Sequence, residues 1–210
     1  MQFPALIKTL KLDNEFRFKE KGSEFIGFAT QVSSQSAADE KLAIIKKKFY
    51  DATHNCYAYK ILPDIVKYSD DGEPNGTAGI RILNAIDHHE LCNVLIIVTR
   101  FYGGTKLGVG PLGRAYYSAA EEVIKSAAIV MKENYSLMSI EFDFEYSKTV
   151  HHFLNLNACI IKQNRFENRP VIEFLIKPDN TSAFENNIRN ATKDQSKIQL
   201  IETAIFIEKN

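Results

Sequence analysis

Glycine is absent from the last 97 residues of this 210-residue chain; all ten glycines lie at or before Gly113, eight of them between Gly72 and Gly113. This one-sided supply withholds the residue best suited to left-handed turns from the carboxy-terminal part and concentrates it in the amino-terminal part. The shift predicts two units, residues 1–134 and 135–210, joined near Glu133 to Ser136. The chain also lacks a charge excess. Lys plus Arg and Asp plus Glu both total 26, which excludes the overall basicity of a nucleic-acid coat and the acidic surplus of a disordered segment. Any polyanion site must then be local, with no DNA sequence specificity expected. Cysteine is scarce: Cys56, Cys92 and Cys159 are far apart and form no CxxC pair, excluding a disulfide framework and a zinc ribbon and fitting a reducing, cytoplasmic setting. No apolar run reaches the length of a membrane span, and Pro4 and Lys8 interrupt the amino-terminal one. A soluble, unexported protein with no membrane partner is expected.

What is present is 45% hydrophobic content, enough to fill a core in a chain of this length. In the second unit, MSIEFDFEYS, CIIKQNRFEN, PVIEFLIKP and IQLIETAIFIEK read as strands, while KTVHHFLNLNA and TSAFENNIRNATKD have helical spacing. The order βαββαβ is the ferredoxin-like pattern. Phe142, Phe144 and Tyr146 alternate and so share one strand face, which strand period assigns to the core rather than to a base-stacking platform. In the first unit, FRFKEKG, SEFIGFATQVS, CYAYKIL and NVLIIVTRF read as strands; SAADEKLAIIKKKFYDAT, TAGIRILNAIDHHE and RAYYSAAEEVIKSAA read as helices. Ser36 is the expected cap of the first helix, and Lys46, Lys47 and Lys48 form its solvated last turns. The fold class is α+β with two domains.

Two loops carry candidate chemistry. KYSDDGEPNGTAG, residues 67 to 79, sets Asp70, Asp71 and Glu73 beside three glycines and ahead of a helix. These carboxylates fit turn and helix caps, with Thr77 starting the helix; they also fit a hard-cation site, or a general base acting with His54. The second loop, FYGGTKLGVGPLGRAY, residues 101 to 116, holds Gly103, Gly104 and Gly108 among Arg100, Lys106 and Arg114. Bare amides beside cations can clamp a phosphate or carboxylate, and the same glycines can permit a tight crossover while the arginines pair with Asp70, Asp71 or Glu73. GVGPLG matches the dinucleotide fingerprint in letters only, because the preceding strand ends seven residues before Gly108 and no second parallel strand follows. Cys56 shares a strand face with His54, but its place among tyrosines reads as core rather than as a nucleophile.

Together, KGSEFIGFAT, HNCYAY, SDDGEPNGTAG and VTRFYGGTKLGVGPLGRAY resemble the IMPACT family, in particular its bacterial, YigZ-like branch. The resemblance spans nearly the whole chain. It implies a first domain like the second domain of small-subunit ribosomal protein five, and a ferredoxin-like second domain like domain five of elongation factor G. It also implies a non-catalytic regulatory binding protein associated with translation, whose partner is the ribosome, RNA or a protein regulator of translation. No cofactor and no catalytic residue is assigned, and binding falls to Arg100, Gly103, Gly104, Lys106, Gly108, Arg114, His54, Asp70, Asp71 and Glu73. The alternative is a cation-dependent enzyme acting on a phosphorylated small molecule; whether the acidic loop holds a metal is open. The chain departs from the family pattern at Pro111, where a glycine is usual, and at Arg81, where a proline is common.

Overall fold

A computed structural model describes residues 3–166 and 168–209. The chain is α+β and divides into two compact units, Ile7–Met131 and Phe3–Leu6 with Lys132–Asn210.

The first unit is built on five antiparallel strands, β2 (Asn14–Glu20), β3 (Ser23–Gln31), β4 (His54–Ile61), β5 (Ile65–Ser69) and β6 (Val94–Phe101), ordered β2-β3-β6-β4-β5. β1 (Leu6–Leu10) precedes them. Both faces of the sheet are covered, so its central strands carry apolar residues in both parities. On β6, Val94, Ile96 and Val98 join the core under α2 (Gly79–His88) and α3 (Val109–Lys125), while Leu95 and Ile97 pack toward α1 (Gln35–Lys48). β4 repeats the division: Cys56 and Ala58 face α2 and α3, and Tyr57, Tyr59 and Ile61 face the other way.

The second unit contains β7 (Ile129–Glu141), α4 (Ser147–Leu156), β8 (Ile160–Phe166), β9 (Pro170–Ile176), α5 (Thr181–Ala191) and β10 (Lys197–Glu208). Its strands run β10-β7-β9-β8, all antiparallel. α4 and α5 close one core through Val150, Leu154, Phe184 and Ile188. The expected strand CIIKQNRFEN includes Glu167, which lies outside the described residues.

Several local expectations are corrected. Ser34, not Ser36, caps α1, its hydroxyl accepting from the Ala37 amide at 3.2 Å. β7 ends at Glu141, so Phe142, Phe144 and Tyr146 do not share a strand face: Phe142 is core, while Phe144 and Tyr146 lie in a 3-10 turn with Phe144 72% exposed. α3 begins at Val109, five residues before the expected Arg114, which places Gly110, Pro111 and Gly113 inside the helix. Pro111 is tolerated there because a first-turn amide has no intrahelical partner to lose.

Candidate functional site

The acidic loop winds around Asp70. One of its carboxylate oxygens accepts from the amides of Ala78 (2.9 Å) and Gly79 (2.8 Å), the other from Gly76 (2.9 Å). These amides lie at the start of α2, where backbone donors lack intrahelical partners and a negative charge suits the helix dipole. Asp70 thus serves as the helix cap, and Thr77 instead donates to the Pro74 carbonyl at 2.5 Å. α2 starts so close to β5 that a Cβ on Gly79 would stand 2.7 Å from the Ser69 backbone, which is why glycine sits there.

Asp71 points to a different partner. Its carboxylate pairs with Lys46 at 2.8 Å and accepts from the Asn55 amide at 2.7 Å. Its carbonyl is 2.8 Å from His54 Nδ1; a carbonyl only accepts, so Nδ1 carries the proton. Lys48 pairs with Glu15 at 2.9 Å, so two of the three lysines ending α1 are held by carboxylates.

Glu73 turns inward. Its side chain is 4% exposed and accepts from Arg100 Nη1 at 2.6 Å and from the Tyr116 hydroxyl at 2.8 Å, while His54 Nε2 lies 3.8 Å from its other oxygen. The Arg100 guanidinium also approaches Ser23 Oγ at 3.4 Å and lies 5.5 Å from the ring centres of both Phe25 and Tyr102. Burial of an ion pair is tolerated only with good geometry and further hydrogen bonds, and this one has both. The strand explains the placement: Arg100 has the parity of Ile96 and Val98 and so faces the helix layer, not solvent. The expected three-cation clamp is corrected accordingly, since Arg100 is consumed by Glu73. Burial pushes the Tyr116 hydroxyl pKa upward, with Cys56 and Glu73 adding to the shift. Burial likewise pushes the Cys56 thiol up to about 12, and the thiol donates to the Asp70 carbonyl at 3.0 Å. A thiol so held is a core group rather than a nucleophile.

Asp70, Asp71 and Glu73 therefore diverge and form no common cation cage. Tyr116 was missed in the sequence because its hydroxyl is the polar tip of an otherwise apolar helix face.

The glycine loop splits in the same way. Gly103 serves close approach: a Cβ there would lie 1.9 Å from the Gly22 backbone, and its amide donates to Ser23 Oγ at 3.2 Å. Gly104 (φ +83°) stands in open space. Gly108, at φ +85°, is the residue from which α3 departs, and no side chain among the described residues caps that end. The amides of Val109 and Gly110 are in the first turn, where helical partners are lacking. Arg114 curls back toward this turn, its Nη1 lying 3.7 Å from where a Gly110 Cβ would be, and Arg81 crosses from α2 with Nε 3.4 Å from the Cβ position of Gly113. Glycine at 113 thus gives Arg81 room to lie on α3. Arg81 and Arg114 line a groove of about 630 Å³ with Thr77, Asn84, Tyr117 and Ser118. On the other side of Val109, a pocket of about 440 Å³ is lined by Thr53, His54, Glu73, Arg100, Tyr102 and Lys106. Among the described residues, Arg81, Lys106 and Arg114 make no ion pair. These three cations around the uncapped start of α3 can hold phosphate or carboxylate oxygens.

Residues 21–124 match the Impact N-terminal domain. The chain is 31% identical over 193 residues to the IMPACT family member YvyE of Bacillus subtilis (strain 168), covering 91% of this chain and 89% of that protein. The Protein IMPACT homolog of Saccharomyces cerevisiae is 30% identical over 112 residues, 51% of this chain and 43% of the yeast protein. A crystal structure of a hypothetical protein is similar in fold, with a TM-score of 0.69 at 19% identity, covering 95% of this chain and 99% of that one. With YvyE matched along almost its full length, the chain belongs to the IMPACT family.

Proposed function

We propose that this protein is a non-catalytic regulatory protein of translation that docks the phosphate backbone of RNA, free or in the ribosome, on the surface around the start of α3. The observation that carries this reading is the group of unpaired cations, Arg81, Lys106 and Arg114, gathered at a helix start that no side chain caps. A local polyanion site is what a chain of zero net charge requires for such a partner. Kinship with eukaryotic IMPACT proteins supports a role in translation. So does the strand order β10-β7-β9-β8, which fits the ferredoxin-like arrangement expected of a domain like the fifth of elongation factor G; we likewise assign Ile7–Met131 the fold of the second domain of small-subunit ribosomal protein five. Within the surface, Gly108 and the first-turn amides receive phosphate oxygens, while Glu73, Arg100 and His54 fix the loops that present them.

The cation-dependent enzyme has less to stand on, because Asp70, Asp71 and Glu73 are each engaged by separate protein groups. The direct test is ribosome co-sedimentation and RNA retention across a salt series. Three phosphate contacts give a slope of log affinity against log salt of about −2 to −3. The triple variant Arg81→Glu, Lys106→Glu, Arg114→Glu should lose this binding while melting as the unmodified chain does. Retention by the variant, or binding indifferent to salt, eliminates the surface. Binding that survives nuclease treatment assigns it to a protein partner instead.

A further inference from the structure

Away from that surface, α2 ends in two adjacent histidines. His88 is its last residue and exposed; His89 follows at the cap, and the two rings meet edge-to-face with centres 5.2 Å apart. Glu121, toward the end of α3, comes to the same place. Among the described residues this is the one group of three His, Cys, Asp or Glu side chains whose candidate ligand atoms all lie within 4.8 Å of one another. A second observation is independent of that geometry: His89 Nε2 is shielded from solvent and has no hydrogen-bond partner. A buried polar atom without a partner is uncommon in a folded protein and calls for an explanation such as an ion.

We propose that His88, His89 and Glu121 bind a divalent transition-metal ion of the zinc class, tying the end of α2 to α3. Two imidazoles and one carboxylate are a donor set that zinc takes with water in the fourth position. Magnesium and calcium prefer all-oxygen shells, so imidazole selects against them. Metal–ligand bonds of about 2.1 Å in a tetrahedron bring ligand atoms to about 3.4 Å apart. The exposed His88 and the half-buried Glu121 can supply that contraction by side-chain rotation, without backbone movement. Burial, then the neighbouring His88, lowers the His89 pKa. Lys8 and Lys125 are the opposing charges. Lys125 pairs with both Glu121 (3.2 Å) and Glu122 (3.1 Å), so it keeps a carboxylate when Glu121 turns to the metal. Lys8 pairs with Glu90 at 3.3 Å.

The test is calorimetric titration of the full chain with Zn²⁺, in a Cys159→Ser background because that thiol is only partly buried, with Mg²⁺ as the control. One zinc site is expected, weakened at least tenfold by His88→Ala and by Glu121→Gln, with no heat from Mg²⁺. Zinc should raise the melting temperature of the parent chain, and the same rise in His88→Ala should need at least tenfold more zinc. His88 is exposed, so this variant folds and reports on metal alone. Absence of zinc binding by the parent, or parent-like affinity in both variants, overturns the site.

Discussion

Arg100 and Arg114 bracket one glycine-rich stretch, the first near the end of β6 and the second in the second turn of α3, and they meet opposite electrostatic conditions. The Arg100 guanidinium lies in the interior against Glu73 and Ser23, near the rings of Phe25 and Tyr102. Arg114 is exposed and curls over the first turn of its own helix, with no carboxylate among the described residues to meet it. Interior charge answers to packing and fixes the loops; surface charge is free to answer to a ligand. One composition, arginines among glycines, thus performs two tasks that a surface reading of the loop merges into one.

The sharpest way to separate them is to remove each charge in turn. Arg100→Met should cost about 3–5 kcal/mol, because deleting one member of a buried pair leaves Glu73 uncompensated. Urea unfolding measures this directly. Pairing the change with Glu73→Gln should return part of the loss, since no full charge is then stranded. If Arg100→Met unfolds within 0.5 kcal/mol of the parent, a margin typical of surface changes, the pair contributes nothing and the interior reading of Arg100 fails.

A smaller effect is expected at Asp70, where the charge is satisfied by backbone rather than by a cation. Asp70→Ala strips three amides at the start of α2 of their acceptor, and caps of this kind contribute about 1–2 kcal/mol. Asp70→Asn keeps an oxygen for part of the set and should fall between. Because α2 also positions Arg81, hydrogen exchange should show the added opening concentrated at residues 76–82. Uniform protection across the variant and the parent argues that the loop holds itself without Asp70.

Much of the fold was legible because it rests on local periodicity. β6 announced itself by an unbroken apolar run, and the element order of the second unit followed from alternation and helical spacing. β1 and β5 were missed: each is five residues long, and in β5 the first four residues are exposed, so its short alternation marks no core face. The start of α3 was missed because glycine and proline usually end helices, whereas here they occupy the first turn, where Pro111 costs no hydrogen bond. In the site, spacing alone did not place Arg100, because β6 is apolar in both parities and neither parity marks the face under α2 and α3. Pairing of the arginines with Asp70, Asp71 or Glu73 was one of two readings of the loops, and Arg100 with Glu73 realises it; which carboxylate it meets, 27 residues away, leaves no trace in any one window. Arg81 was noted only as a departure from a family pattern. Its place on α3 depends on Gly113, a contact between two helices that local spacing cannot carry.

The gentlest perturbation bears on the open half of the comparison. Arg114→Gln removes an exposed charge that holds no partner, so its unfolding free energy should stay within about 0.5 kcal/mol of the parent. Its effect belongs to binding alone. If Arg114 contacts one phosphate, losing it lowers the magnitude of the salt slope by about 0.7 for a single strand or 0.9 for a duplex, uniformly across RNA sequences. The size of the change also distinguishes a shared anion from separate contacts. Should Arg81 and Arg114 grip a single phosphate in their groove, the double variant Arg81→Gln, Arg114→Gln shifts the slope no further than either single one. Separate phosphates make the shifts add, and an unchanged slope in all three variants removes the groove from the binding surface.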